Sequence, residues 1–197
     1  MTGWVMLMSD TMGTLYMLAE AQAGYFTAAQ AVAAGVSRRA LSGRARAGDL
    51  DHVRYGLYRL RRFPSHPHED VVAACLWVGP DCAASHETAL VVHGVSDAMP
   101  AAIHVTVPRP FRGAQPGVIV HRAPLESADR EVRDSVSVTT LARTLVDVAT
   151  VSDPSLVRQA VAEAIRDGKL ARRQVRKLAR DEPNLAPILV DALAVEQ

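Results

Sequence analysis

The sequence has 197 residues, enough for one full domain or two small ones, and 49% of them are hydrophobic. A chain of this composition can bury a sizeable core, which excludes wholesale disorder, and its net charge of +1 indicates no particular partner. No apolar run reaches the length of a membrane span, and the apolar segment 1–8 lacks the basic start and the cleavage motif of a secretory signal. We therefore expect a cytoplasmic protein that does not contact a membrane.

Two further features of the composition bear on metal binding and on the location of positive charge. Cys75 and Cys82 are the only cysteines, and no second pair exists to complete a zinc ribbon, so we expect buried free thiols. Basic residues cluster early: residues 1–66 hold eight Lys and Arg, all between Arg38 and Arg62, against four Asp and Glu. A basic block on a near-neutral chain predicts a local electrostatic surface.

The first elements in chain order are three helices. Residues 11–22 form the first, and the link Gly24-Tyr25-Phe26 follows it. Thr27 is a good N-cap for a second helix that runs to Ala34, and Gly35 then allows a sharp turn. Ser37 caps the third helix. Ala31, Gly35 and Leu41 have the spacing of a helix-turn-helix.

The third helix has one apolar and one basic side. Leu41 and Ala45 recur at i and i+4 and face the protein, whereas Arg38, Ser42 and Arg46 share the opposite side with Arg39 beside them. That basic side is predicted to enter the DNA major groove, with Arg44 at the flank near phosphates. The alternative is an ordinary helical hairpin with a solvated arginine face.

A β-hairpin follows the basic helix. Leu50–Arg54 and Leu57–Leu60 are β-prone and flank Tyr55-Gly56, which is typical of the wing of a winged helix. Three residues on or beside this wing are predicted to meet phosphates, namely Arg54, Arg59 and Arg61. Thr27 and Ser37 begin helices, whose terminal amides also hold phosphate oxygens.

Pro64 and Pro67 mark a domain boundary, dividing the chain into a winged helix-turn-helix domain at 1–65 and a second domain at 66–197. Periodicity and turn residues in the second domain predict helices and short strands. The predicted helices are His68–Val78, Ser85–Gly94 with Ser85 as N-cap, Leu141–Ala149 with Thr140 as N-cap, 153–167, 171–181 and 184–195; the predicted strands are Ile103–Val107, Gly117–Arg122 and Val136–Thr139. The fold class is α+β: an N-terminal winged helix-turn-helix followed by a mixed α/β domain with a small sheet and several helices.

Polar residues of the second domain allow only weak catalytic interpretations. His86 and His93 lie seven residues apart, on roughly one helical face, which leaves a metal site as an alternative. His104 and His121, on neighbouring strands, are expected to form a structural pair, and Arg143 and Asp147 a surface salt bridge at i,i+4. We expect no enzyme, no metal and no cofactor.

A second basic run lies near the end of the chain. Its members recur at helical spacing and predict a positive ridge, formed by Arg172, Arg173, Arg176, Lys177 and Arg180. The ridge is either a solvated helix face or a surface for DNA, RNA or an acidic protein.

Several segments together resemble a known family. Leu15–Ala31, Gly35-Val-Ser, Gly48-Asp-Leu and Tyr55-Gly-Leu-Tyr-Arg resemble the winged-helix domain of AbiEi-type antitoxins, which belong to the abortive-infection, type IV class of bacterial toxin–antitoxin systems. The resemblance continues through Leu76-Trp-Val-Gly-Pro, Ser85-His-Glu-Thr-Ala-Leu, His104-Val-Thr-Val-Pro and Val138–Asp147, and covers about residues 12–170.

The resemblance implies an antitoxin with two roles. The winged helix would bind inverted repeats in the double-stranded DNA of its own promoter and repress the operon. The second domain would counteract a nucleotidyltransferase toxin, without a stable toxin–antitoxin complex being required; the ridge of Arg172, Arg173, Arg176 and Lys177 is the candidate surface. Two alternatives remain: a regulator whose second domain senses a small molecule, and an enzyme acting on nucleic acid or nucleotides through its histidines.

Overall fold

The protein is described by a computed structural model that covers residues 4–194, with side chains described from residue 11. Contacts divide the chain into two compact units, Met1–Pro80 and Asp81–Gln197. The helix that follows Pro67 thus groups with the first unit, whereas the proline-based boundary placed it in the second. None of the helices within 4–194 is both long and apolar enough to cross a membrane.

The first unit is a winged helix. Its three strands form an antiparallel sheet in the order β1-β3-β2, packed with the helices of the unit. In chain order the elements are α1 (Trp4–Glu20), β1 (Tyr25–Thr27), α2 (Ala28–Ala33), α3 (Arg38–Ala47), β2 (Leu50–Arg54), β3 (Leu57–Leu60) and α4 (Glu69–Val78). The buried cluster includes Leu15, Phe26, Leu41 and Leu50.

The predicted caps form as expected in this unit. The Thr27 hydroxyl accepts from the Gln30 amide at 3.1 Å while the Gln30 side chain accepts from the Thr27 amide at 2.8 Å, a complete capping box. The Ser37 hydroxyl accepts from the Ala40 amide, and Gly48 closes α3 in the left-handed conformation. These local signals place α3 and the hairpin where the sequence predicts them.

The link after α1 is partly a strand, which corrects the sequence-based assignment. Tyr25, Phe26 and Thr27 pair with Arg59, Tyr58 and Leu57 of β3. A three-residue strand is too short to show periodicity, and it exists because the hairpin offers it an edge.

The second unit combines a five-stranded sheet, in the order β6-β5-β4-β8-β7, with helices. The pairs β5–β6 and β4–β8 are parallel, and β4–β5 and β7–β8 are antiparallel. Its elements are β4 (Ala83–Ala84), α5 (His86–His93), β5 (Ile103–Val107), β6 (Val118–Arg122), a 3-10 turn (Ser127–Asp129), β7 (Arg130–Arg133), β8 (Val136–Thr139), α6 (Leu141–Ala149), α7 (Pro154–Arg166), α8 (Arg172–Asp181) and α9 (Ala186–Ala194). The core of helices α5 to α9 buries Leu145, Val148, Val161 and Leu189.

Candidate functional site

Helix α3 presents the face that the sequence predicts. Leu41 is buried against the first-unit core, whereas Arg38, Arg39, Ser42 and Arg46 are exposed. The Arg46 Nε donates to the Ser42 carbonyl at 3.3 Å, which holds that guanidinium along the helix. Because α3 contains no acidic residue, its outer face is uniformly positive.

Two other arginines form ion pairs within the unit. Arg44 at the flank of α3 lies 3.1 Å from the Asp49 carboxylate, and Arg61 contacts Asp51 across the hairpin at 2.8 Å. Each pair is partly exposed, so both guanidinium groups stay at the surface while their charge is offset. They are weaker candidates for phosphate contacts than Arg38, Arg39 and Arg46, which form no ion pair among the residues whose side chains are described.

Arg59 has an internal position instead of an outward one. Its guanidinium donates to the carbonyls of Phe63 and Pro64, pairs with Glu69 at 2.9 Å and lies 5.5 Å from the Tyr25 ring centroid. With only 15% of its side chain exposed, Arg59 ties the hairpin to β1 and α4. Arg59 is therefore a poor candidate for the phosphate contact expected from the sequence.

Arg54 also turns toward the protein, since its guanidinium lies 5.7 Å from the centroid of the Trp77 ring on α4. The tip of the wing is formed by Tyr55, whose side chain is 93% exposed. From the sequence, Tyr55 is predicted only to be part of the turn. An aromatic residue beside the turn glycine Gly56 is the feature of the sequence that could have indicated an exposed ring at the tip of the wing.

The basic ridge of the second unit forms as a helix face. Arg173, Arg176 and Lys177 are exposed on α8, opposite the buried Val175. Arg172 differs, because its guanidinium donates to the Leu193 carbonyl at 3.0 Å and supports the packing of α9.

Two caps expected in the second unit do not form, that of α5 by Ser85 and that of α6 by Thr140, and neither does the alternative metal site of His86 with His93. The Ser85 hydroxyl does not cap α5; it lies 2.9 Å from His86 Nδ1 and accepts a hydrogen bond from Thr106 at 2.8 Å. His93 does not join His86, because its Nε2 binds the Thr139 carbonyl at 2.8 Å. The Thr140 hydroxyl likewise makes no capping hydrogen bond on α6.

The predicted pair His104–His121 is present, with Nδ1 of His104 3.0 Å from Nε2 of His121. His86 joins this pair, and its ring lies 3.8 Å from that of His121 and 5.7 Å from that of His104, centroid to centroid. The pairing of His86 with the strand histidines was missed, because helical spacing compares residues of one helix and not residues of different elements.

Arg143 and Asp147 pair at 2.8 Å as predicted, but the pair is largely buried instead of lying on the surface. The Arg143 guanidinium also contacts Asp129 at 3.1 Å and donates to the Pro124 carbonyl. Burial raises the pKa of Asp147, and the neighbouring Arg143 acts in the opposite direction. The cluster therefore joins α6 to the segment before β7.

Comparison with known proteins gives one family match in the N-terminal part of the chain and one that runs from within α4 through most of the second unit. Residues 14–61 match the family model described as "Transcriptional regulator, AbiEi antitoxin", and residues 72–188, more than half of the chain, match the "AbiEi antitoxin C-terminal domain". The chain belongs to the AbiEi antitoxin family. The resemblance seen in the sequence is thereby confirmed, as is the α+β fold with its N-terminal winged helix-turn-helix.

A solved structure with a similar fold supports the architecture of this AbiEi-family chain. The RV2827C protein from Mycobacterium tuberculosis matches with a TM-score of 0.54 and 15% identity, over 93% of this chain and 77% of that one. At that identity the likeness concerns the fold alone. No curated protein matches the sequence.

Proposed function

We propose that this AbiEi-family chain is an antitoxin that represses its own operon by binding inverted repeats in the promoter through α3 and the wing, and that it counteracts a nucleotidyltransferase toxin. The observation that carries the repressor role is the exposed, uniformly positive face of α3 in a winged helix. A helix of this kind reads base edges in the major groove while flanking basic groups contact phosphates.

Within this surface the residues have different tasks. Arg38, Arg39, Ser42 and Arg46 face the groove, where arginine can bind guanine edges in a bidentate manner. Ser37 caps α3 by accepting from the Ala40 amide, which leaves the two preceding amides of that helix for a phosphate oxygen. Thr27 is the weaker candidate, because at the start of α2 the Ala28 amide already donates to the Gly56 carbonyl and the Gln30 amide to Thr27. Arg44 and Arg61 lie at the flank and on the hairpin, where they can exchange their acidic partners for DNA phosphates.

The antitoxin role belongs to the second unit, which matches the C-terminal domain of the family. Arg173, Arg176 and Lys177 form an exposed basic face on α8 that suits an acidic surface of a protein partner. Arg172 supports the same helix by its contact with α9.

A cellular experiment with two readouts separates these roles. The full chain is expressed from an unrelated promoter, and repression of a reporter under its own promoter and survival with the neighbouring toxin are both measured. The triple variant R38A/R39A/R46A is compared with R173A/R176A/K177A, which removes the same charge from an exposed helix in the other unit.

We expect the α3 variant to lose repression and keep protection, and the α8 variant to keep repression and lose protection. Loss of both activities in the α3 variant, with normal protein level, would contradict the division of labour. Failure of the unaltered chain to protect against the toxin would contradict the antitoxin role.

A further inference from the structure

Three histidines from three elements meet at one side of the second-unit sheet. His86 begins α5, His104 lies on β5, and His121 lies on the neighbouring strand β6. One ring nitrogen from each lies within 4.8 Å of the others. His86 is buried and the two strand histidines are partly buried, so the cluster is shielded on one side and reachable on the other.

We propose that His86, His104 and His121 bind a zinc ion with three imidazole nitrogens. Neutral imidazole is a preferred zinc ligand, and three protein ligands leave a fourth position for water or another small ligand. None of these three residues belongs to the proposed DNA-binding face or to the basic ridge on α8.

The spacing of the rings is close to that of a zinc site. With Zn–N bonds of about 2.0–2.1 Å, tetrahedral geometry places ligand nitrogens ~3.3 Å apart and ring centroids ~5 Å apart. His104 and His121 come close to both values: their nitrogens are 3.0 Å apart and joined by a hydrogen bond that zinc would replace, and their centroids are 5.2 Å apart. The His86–His104 centroids are 5.7 Å apart. The His86 and His121 rings, 3.8 Å apart, must separate when the ion enters.

The Ser85 hydroxyl orients the ring of one proposed ligand, His86. His86 Nδ1 lies 2.9 Å from the Ser85 hydroxyl, which is itself held by a hydrogen bond from Thr106. Zinc-bound histidines ordinarily donate their other N–H to such a partner, which fixes the tautomer and directs the free nitrogen to the metal. With zinc bound, His86 would take the tautomer in which Nδ1–H donates to Ser85, and this leaves Nε2 for the metal.

The backbone at His86 agrees with this assignment. His86 has a φ of 54°, a left-handed conformation that costs energy in a residue with a side chain and aims this ring at the strands.

The test uses the untagged full chain, stripped of metal with EDTA and kept reduced. Zn²⁺ binding is measured by calorimetry and by competition with a chromophoric chelator, and Co²⁺ is used as a visible-absorbing substitute. The variant H104A/H121A is compared with H66A/H68A. This control also removes two histidines whose rings lie close to each other, but they belong to the first unit.

We expect one zinc ion per chain, lost in H104A/H121A and retained in H66A/H68A, and a four-coordinate Co²⁺ spectrum without thiolate charge-transfer bands. S85A should weaken zinc binding by about 10–100-fold, as expected for a support of the ligand shell. Absence of saturable binding, or equal binding in H104A/H121A, would overturn the proposal. If that variant does not fold, H121Q alone, on the edge strand, must lower zinc affinity.

Discussion

Arg143 is the residue through which α6 holds the segment that leads into β7. Its Nε binds Asp147, while its Nη1 binds Asp129 and the Pro124 carbonyl. The Asp147 side chain is only 10% exposed, and its Oδ2 is buried without a hydrogen-bond partner in the described part of the chain. A buried carboxylate in this position depends on the single guanidinium beside it.

Removal of Arg143 should therefore destabilise the protein strongly. R143A leaves Asp147 buried and uncompensated, and we expect a loss of about 3 kcal/mol in the free energy of unfolding. Chemical denaturation measures this, with R166A, an exposed arginine on α7, as a control that changes stability by less than about 0.5 kcal/mol. The double variant R143A/D147N should recover part of the loss; an R143A effect equal to that of R166A would refute this account.

The arginines of the first unit show what the sequence can and cannot predict about single residues. The exposure of Arg38, Arg39 and Arg46 follows from helical periodicity and was predictable. The inward position of Arg59 depends on Glu69, ten residues later, and on carbonyls of the turn at 63–64. Such partners are brought together by the fold and leave no local pattern.

At the scale of elements, the turn before β1 depends on Gly24. Its φ is +88°, and a Cβ added there would lie 2.7 Å from the Phe63 ring. Gly56 in the wing has a similar φ of +73° but open space around it. A side chain at either position strains the backbone, but only a Cβ at position 24 also collides with the Phe63 ring.

Comparison of G24A with G56A isolates the steric contribution. We expect G56A to cost ~1–2 kcal/mol from the left-handed conformation alone, and G24A to cost clearly more, because Phe63 must move. Thermal and urea unfolding of both variants measure the difference. Equal destabilisation would mean that the Phe63 ring is not packed on Gly24.

The elements themselves were largely predictable. Caps, glycine stops and alternation place α3, the wing, β5, β8 and α6 close to their observed bounds. Two strands of the second unit were not predicted: β4 is only Ala83–Ala84, and β7 is the charged segment Arg130–Arg133. β7 exists because Asp134 and Ser135, both with positive φ, form a tight hairpin that pairs it with β8.

At the scale of the whole molecule, stability should depend on pH through buried histidine. Burial lowers the pKa of His93, with Arg133 and Lys169 acting in the same direction and the Thr139 carbonyl and Glu131 opposing them. The ring is therefore neutral in the folded protein, and its 3.9 Å contact with Glu131 is not an ion pair at neutral pH.

The sign of this pH dependence follows from proton uptake. As pH falls through about 6.5, the unfolded chain binds a proton at His93 more readily than the folded chain does, so the free energy of unfolding falls as pH decreases. H93Q keeps a donor for the Thr139 carbonyl but does not titrate. Between pH 7.5 and 5.5, with EDTA present, the unaltered chain should lose more thermal stability than H93Q; parallel losses would contradict the assignment.

The two units together match two parts of one antitoxin family, one described as a transcriptional regulator and one as the antitoxin C-terminal domain. The winged helix contributes an exposed arginine face, and the second unit contributes a basic helix and a histidine cluster. In the proposed function the first unit sets the amount of protein made and the second protects the cell. The repressor role depends on the exposed arginine face of α3, which we propose binds DNA.

One measurement tests that face most directly: fluorescence anisotropy with a labelled duplex of the chain's own promoter, over a range of salt concentrations. The unaltered full chain should bind with an affinity that falls as salt increases, and R38A/R39A/R46A should bind at least ~100-fold more weakly. The matched variant R173A/R176A/K177A should bind as the unaltered chain does. Equal affinity of the α3 variant and the unaltered chain for the promoter would contradict the account.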